Sequence, residues 1–116
     1  VKERTAFGRR VADFQNTQFK LAEMHTRLEV ARAYVDRCLE LHLKKELDVP
    51  TAAGAKYYVS DLQCEIVDEC VQLHGGYGYM WEYPVARMFA DSRVQRIYGG
   101  TNEIMKTIIS RALLAG

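Results

Sequence analysis

Apolar residues recur in steps of three and four from residue 14 to about residue 47: Leu21, Met24, Leu28, Ala31, Val35 and Cys38, with Tyr34, Leu39 and Leu41 widening the stripe. That period predicts one long amphipathic helix with a mixed-sign polar face that includes Glu23, Arg27, Asp36 and Glu40. Asp48-Val49-Pro50 ends it, because proline drives the residue before it out of helical geometry and is itself tolerated in a first helical turn. A second helix is therefore expected from Pro50 or Thr51 to about His74, carrying Ala52, Ala55, Val59, Leu62, Ile66, Cys70 and Leu73 in register and pairing antiparallel with the first.

Gly75-Gly76-Tyr77-Gly78-Tyr79 breaks the period. A shorter helix starting near Tyr83 or Pro84 carries Val85, Met88, Phe89 and Val94, and Tyr98-Gly99-Gly100-Thr101 makes a second break. The last helix is capped by Thr101 or Gly100, with Glu103 at its positive end and Ile104, Ile108 and Ala112 facing inward. No segment alternates with period two. The expected fold is all-α, an antiparallel four-helix bundle, with the end of a preceding helix at residues 1–6.

At 116 residues there is material for one core and too little for two. Sixteen basic residues stand against fifteen acidic ones, interspersed, so no cationic stripe is available for nucleic acid. No apolar run approaches the length of a transmembrane segment, and the reading is a soluble domain. Cys38, Cys64 and Cys70 lack C-x-x-C spacing and read as buried thiols of a reducing compartment. The chain opens on Val1 without a cap or signal-like stretch, which points to the interior of a longer polypeptide.

Paired-carboxylate metal chemistry in a bundle requires Glu-x-x-His steps, yet His25, His42 and His74 follow Ala22, Leu39 and Val71, so no metal site is expected. Gly76-Tyr77-Gly78 is not a dinucleotide fingerprint, since Trp81 stands at the third glycine position and a helix, not a strand, precedes it. Three glycines among four aromatic residues fit either a tight turn or backbone approaching a large flat ligand. Arg4, followed by Phe7-Gly8, is either a surface charge beside a helix end or a pyrophosphate clamp. The backbone N–H groups at residues 99–103 serve either an ordinary cap or an anion.

Taken together, Arg4-Thr5-Ala6-Phe7-Gly8, Gln15, Gln72-Leu73-His74-Gly75-Gly76-Tyr77-Gly78-Tyr79, Glu82-Tyr83-Pro84, Asp91 and Ile97-Tyr98-Gly99-Gly100-Thr101-Asn102-Glu103-Ile104 resemble the C-terminal helical domain of the acyl-CoA dehydrogenases, most of all the long-chain branch. The match runs over essentially all of residues 1–116, without the N-terminal helical and middle β domains of that family. The resemblance implies an FAD-dependent oxidoreductase of fatty-acid β-oxidation that desaturates acyl-CoA thioesters between the α and β carbons and passes electrons to electron-transferring flavoprotein. It implies that Arg4 and Phe7 hold FAD pyrophosphate across a subunit boundary and that Gln15 contacts the cofactor. By the same resemblance Gln72, Leu73, His74, Gly75 and Gly76 lie against the adenosine half of a neighbouring subunit's FAD. Thr101, Asn102 and Glu103 correspond to further FAD contacts, and Tyr98, Gly99 and Gly100 to the wall beside the thioester.

One departure matters. Many members carry the catalytic glutamate at the position of Gly99, and glycine cannot accept a proton. The long-chain and isovaleryl branches place that base on the preceding helix, so it is expected upstream of Val1, with no catalytic residue in this chain. The fragment alone is then inactive, its parent a homotetramer in bacterial cytoplasm or mitochondrial matrix. A stand-alone helical interaction module, or a degenerate paralogue, is the competing expectation, and an acyl-CoA oxidase is a further one.

Overall fold

A computed structural model describes residues 1–115 of the chain. Four helices account for most of them: α1 (Gln15–Leu43), α2 (Val49–His74), α3 (Pro84–Ser92) and α4 (Asn102–Ala115). Short 3-10 turns lie at Val11–Asp13, Gly75–Tyr79 and Arg93–Arg96. The all-α, four-helix expectation holds.

Residues 1–6 are not the end of a helix. Thr5–Ala6 (β1) pairs antiparallel with Arg9–Arg10 (β2), Ala6 opposite Arg9, around a two-residue turn in which Phe7 and Gly8 both have positive φ, 54° and 76°. Two consecutive left-handed residues make the turn whose twist suits a hairpin. Phe-Gly is not one of the usual pairs at such a turn, and two-residue strands are too short to display a period.

The end of α1 also departs from expectation, falling at Leu43 instead of near residue 47. Lys45 adopts φ 59°, its N–H donates to His42 O, and Glu46 N–H donates to Leu41 O at 2.8 Å. These are the paired bonds of a left-handed helix terminus. A lysine fills the position glycine usually takes, so the sequence carries no stop signal there.

α2 starts at Val49, one residue ahead of the expected Pro50 or Thr51, so the residue before the proline is already helical. Asp48 caps it, its Oδ1 accepting from Thr51 N–H at 2.7 Å, with Pro50 in the first turn. Hydrogen bonding by Thr51, through its side chain first and its backbone second, holds the Asp48 carboxyl below its ordinary range. A carboxyl that titrates lower when folded contributes stability that is complete above the ordinary carboxylate range and is lost as pH falls through the lowered value. Asp48→Ala is therefore expected to lower the thermal midpoint by a few degrees at neutral pH and by less in acid. Asp48→Asn, an equivalent cap, should keep the neutral-pH midpoint and flatten that acid response. Thermal melts across pH check both, and an unchanged neutral-pH midpoint for Asp48→Ala would count against the cap.

α1 and α2 run antiparallel: Lys20 pairs with Glu69, Arg27 with Glu65, and Tyr34 Oη donates to Thr51 O, so the partner's number falls as α1 advances. α2 is the central element, with α1, α3 and α4 all packed on it. On α1 the buried positions are Thr17, Met24, Ala31 and Cys38, one every seven residues. A single antiparallel neighbour covers a seam that narrow. Leu21 and Leu28, on the same stripe, stay 39% and 48% exposed.

The result is elongated, 58 × 26 × 24 Å, with a radius of gyration of 17.6 Å. A compact domain of this length would have about 13 Å. The core is correspondingly small: Met24, Ala31, Cys38, Ala53, Leu62, Val85 and Ala86.

Candidate functional site

The residues singled out by motif gather into two patches on α2. The first lies at its C-terminal end. Arg4, delivered by the hairpin, donates from Nη1 to Leu73 O at 2.7 Å, across 69 positions of sequence. Its guanidinium rests on Gly75, where a Cβ would stand 2.6 Å from Arg4 Cζ. Gly75 has φ 66° and ψ −145°, a backbone conformation that side chains rarely adopt. The conformation requires glycine there, and a Cβ would in addition displace the Arg4 guanidinium from its seat.

The neighbouring glycines answer different needs. A Cβ on buried Gly78 would meet Val71 O at 2.5 Å, so this residue lets the chain fold back on the last turn of α2. Around Gly76 nothing lies within 4 Å. The tight-turn reading accounts for Gly78, while Gly76 leaves exposed backbone open to a ligand.

A cleft of about 530 Å³ opens beside this patch, lined in part by Glu3, Arg4, Cys70, Leu73, His74 and Tyr77. His74 Nδ1 donates to Cys70 O at 2.7 Å, a carbonyl that can only accept, leaving Nε2 as the ring's other polar atom. Tyr83 holds the glycine turn by aromatic contact, its ring 5.5 Å from Tyr77 and 6.5 Å edge-on from His74. Burial first, and the Glu69 carboxylate second, push the Cys70 thiol above its ordinary range, so it stays protonated and unreactive. Gln72 and Gly76 are exposed at the patch, and Gln15 is exposed at the first turn of α1. Phe7, 97% exposed at the hairpin tip, covers nothing in this chain.

The second patch is the turn into α4, roughly 20 Å away along α2 at about 1.5 Å per residue. Gly99 and Gly100 both have positive φ, 65° and 88°. Thr101 caps α4, its Oγ1 accepting from Ile104 N–H at 3.2 Å, and Glu103 sits in the first helical turn as expected. Tyr98 and Gly99 line a largely apolar cleft of about 480 Å³ with Val35, Ala55, Val59 and Gln95.

Asn102 turns the other way. It is 4% exposed, and its amide donates to Asp61 Oδ1 at 2.8 Å and Ser60 Oγ at 2.9 Å. Lys56 Nζ donates to Asn102 Oδ1 at 2.6 Å and to Gly100 O at 2.8 Å. The Asn102 side chain is therefore spent on α2, and its backbone N–H is the group left for a ligand. Lys56, Ser60 and Asp61 were not legible as site residues. The one signal was an ammonium group between Ala55 and Val59, inside the apolar register of α2.

Among the described residues no group of three or more His, Cys, Asp or Glu side chains is placed to hold a metal. No helix among them is long and apolar enough to cross a membrane.

An open helical array centred on α2, with glycine turns presented at two places, is the architecture of a recognised helical domain. Residues 1–114 match the family model for the acyl-CoA dehydrogenase C-terminal domain, and the chain belongs to that family. Among its relatives, the mitochondrial long-chain specific acyl-CoA dehydrogenase of Mus musculus is 57% identical over 115 residues, 99% of this chain and 27% of that protein. Subunit CarC of the caffeyl-CoA reductase-Etf complex of Acetobacterium woodii is 45% identical over 114 residues, 98% of this chain and 30% of the subunit. The crystal structure of an acyl-CoA dehydrogenase from Geobacillus kaustophilus superposes with a TM-score of 0.95 at 50% identity, covering 97% of this chain and 30% of that one. The chain thus spans less than a third of the length of these relatives. Members of the family are in general flavin-dependent oxidoreductases, and the relatives include mitochondrial and bacterial proteins.

Proposed function

We propose that this chain is the C-terminal, FAD-contacting and oligomerising domain of an acyl-CoA dehydrogenase that desaturates acyl-CoA thioesters and passes electrons to electron-transferring flavoprotein. The observation that carries the reading is the seating of Arg4 on Gly75 beside Leu73 O. It joins two distant segments into one glycine-floored surface that carries a guanidinium. That surface fits a dinucleotide. One guanidinium N–H is committed to Leu73 O, and the remaining donors of the fork suit a pyrophosphate. Gly76 and the exposed backbone beside it allow an adenosine ring to approach closely.

Arg4, Phe7, Gln15 and residues 72–76 would hold FAD at this end of α2, with Thr101, the Asn102 backbone and Glu103 meeting flavin at the other. A spacing of roughly 20 Å along α2 between the two patches suits contacts made to different cofactor molecules in an assembly. The chemistry FAD supplies when bound is two-electron acceptance. Tyr98, Gly99 and Gly100 would wall the thioester side of the apolar cleft, orienting the substrate and excluding water. Large apolar residues left exposed on α1 and α4, among them Phe19, Leu28, Leu39, Leu113 and Leu114, support packing against other domains and subunits of a homotetramer.

No group at Gly99 can take a proton, so the α proton would go to a glutamate outside these residues, and the chain alone would not turn over. Around Gly99 nothing lies within 4 Å, so a longer side chain has room, at a cost of about 1–2 kcal/mol for a left-handed φ. In a full-length protein whose own base has been removed, Gly99→Glu is therefore expected to restore part of the turnover. No recovery would separate this position from the reacting carbon. The reading as a whole is tested by purifying the full-length protein and adding acyl-CoA without oxygen. Bleaching of a flavin absorbance is expected, and a colourless protein, or one that acyl-CoA leaves unbleached, would overturn it.

A further inference from the structure

We propose that Lys56 is the positioning residue of the turn at residues 98–101, setting the wall beside the thioester from α2. This rests on the substrate-side reading of that turn. Two consecutive glycines with positive φ have little conformational preference of their own, since glycine populates both hands. The turn is anchored before them by Tyr98 N–H donating to Val94 O and after them by the Thr101 cap. Between those anchors, the bond that ties the turn to another helix is Lys56 Nζ to Gly100 O at 2.8 Å.

The same ammonium donates to Asn102 Oδ1, so one cation grips the end of the turn and the start of α4 together. Asn102 is held in place in turn by Ser60 and Asp61, one and two helical positions beyond the turn that carries Lys56. The grip is therefore built on a single face of α2. Lys56 also lines the apolar cleft shared by Tyr98 and Gly99. Met105 lies against the same glycine, since a Cβ added at Gly100 would meet Met105 Cε at 2.7 Å. Removing the ammonium leaves Gly100 O and Asn102 Oδ1 without their shared donor and frees the turn to shift relative to the cleft. A shift of an ångström in such a wall acts on orientation, and so on the rate of the chemical step more than on substrate capture.

The test uses the full-length, flavin-loaded protein with acyl-CoA. Lys56→Met is expected to keep its flavin stoichiometry and KM near wild type while kcat falls roughly ten- to a hundredfold. Lys56→Arg, which keeps a cation with donors in reach, should recover most of that loss. Should the methionine variant not fold, Lys56→Gln gives the comparison, since its uncharged amide ends one bond short of the ammonium and does not bridge Gly100 O and Asn102 Oδ1 together. A flavin-replete Lys56→Met or Lys56→Gln with wild-type kcat, whatever its melting point, would reduce Lys56 to a structural tether and overturn the proposal. Equal losses of kcat in the arginine and uncharged variants would also overturn it. A wild-type protein that acyl-CoA does not bleach would bring down the dehydrogenase reading and this proposal together, an outcome distinct from neutral variants in an active enzyme.

Discussion

Gly75→Ala is expected to cost about 1–3 kcal/mol through backbone strain alone, because an alanine there must occupy φ 66° with ψ −145°. The new Cβ would also fall on the Arg4 guanidinium. That group is the far end of a flexible side chain, so it moves aside, and the bond from Arg4 Nη1 to Leu73 O is lost with it. A charge-assisted hydrogen bond of this kind contributes roughly 1.5–3 kcal/mol where it is sheltered, and less at an exposed arginine. Two effects then appear in one variant: a lower unfolding midpoint, and weaker flavin retention in the full-length protein as the cation leaves its seat.

Gly76→Ala is the matched control. It adds the same methyl one residue later, where nothing lies within 4 Å and φ is not positive. Its unfolding midpoint should equal that of the wild type. Denaturant titration compares the two variants, and the flavin-to-protein absorbance ratio follows Gly75→Ala against the wild type. Equal unfolding midpoints for Gly75→Ala and Gly76→Ala, with wild-type flavin retention in Gly75→Ala, would mean that the seat of Arg4 contributes nothing.

Arg4→Ala in the full-length protein is expected to weaken FAD binding by one to two decades, the equivalent of roughly 1.5–3 kcal/mol for one charge-assisted contact to phosphate. The α2 terminus should survive, since Leu73 O belongs to an exposed helix end that water can solvate. Arg4→Lys separates charge from geometry. An ammonium keeps the cation but cannot bond Leu73 O and a phosphate oxygen through one rigid fork, so its affinity should fall between the other two. Titrating flavin back into stripped protein measures all three. Equal affinities for wild type and Arg4→Ala would remove Arg4 from the cofactor site.

Where structure and sequence agree, the controlling residues are close neighbours. The spacing of Met24, Ala31 and Cys38 marks the buried seam of α1, and Asp48 with Pro50 marks the start of α2. Thr101 marks the cap of α4. Each is decided within a turn or two of chain. The hairpin at residues 5–10 and the helix terminus at Lys45 escaped because non-glycine residues take left-handed conformations there, against their usual preference. The exposure of Leu21, Leu28 and Met88 escaped for another reason: a periodic stripe shows which face is apolar, not how much of it one neighbour can cover.

The candidate site divides along the same line. Its residue types and their order could be read from the motifs, because each motif is a short contiguous segment. The grouping into two patches could not. Arg4 reaches Leu73 across 69 positions, and Lys56 reaches Gly100 and Asn102 across 44 and 46. Such meetings depend on the register with which α1, α3 and α4 settle against α2, a sum of many weak side-chain contacts spread over the whole helix. Helix number, helix order and the glycine turns were thus written in local patterns of the chain. The seating of a cation on Gly75, and of another beneath Gly100, came from packing, because long-range contacts exist only once the helices have docked.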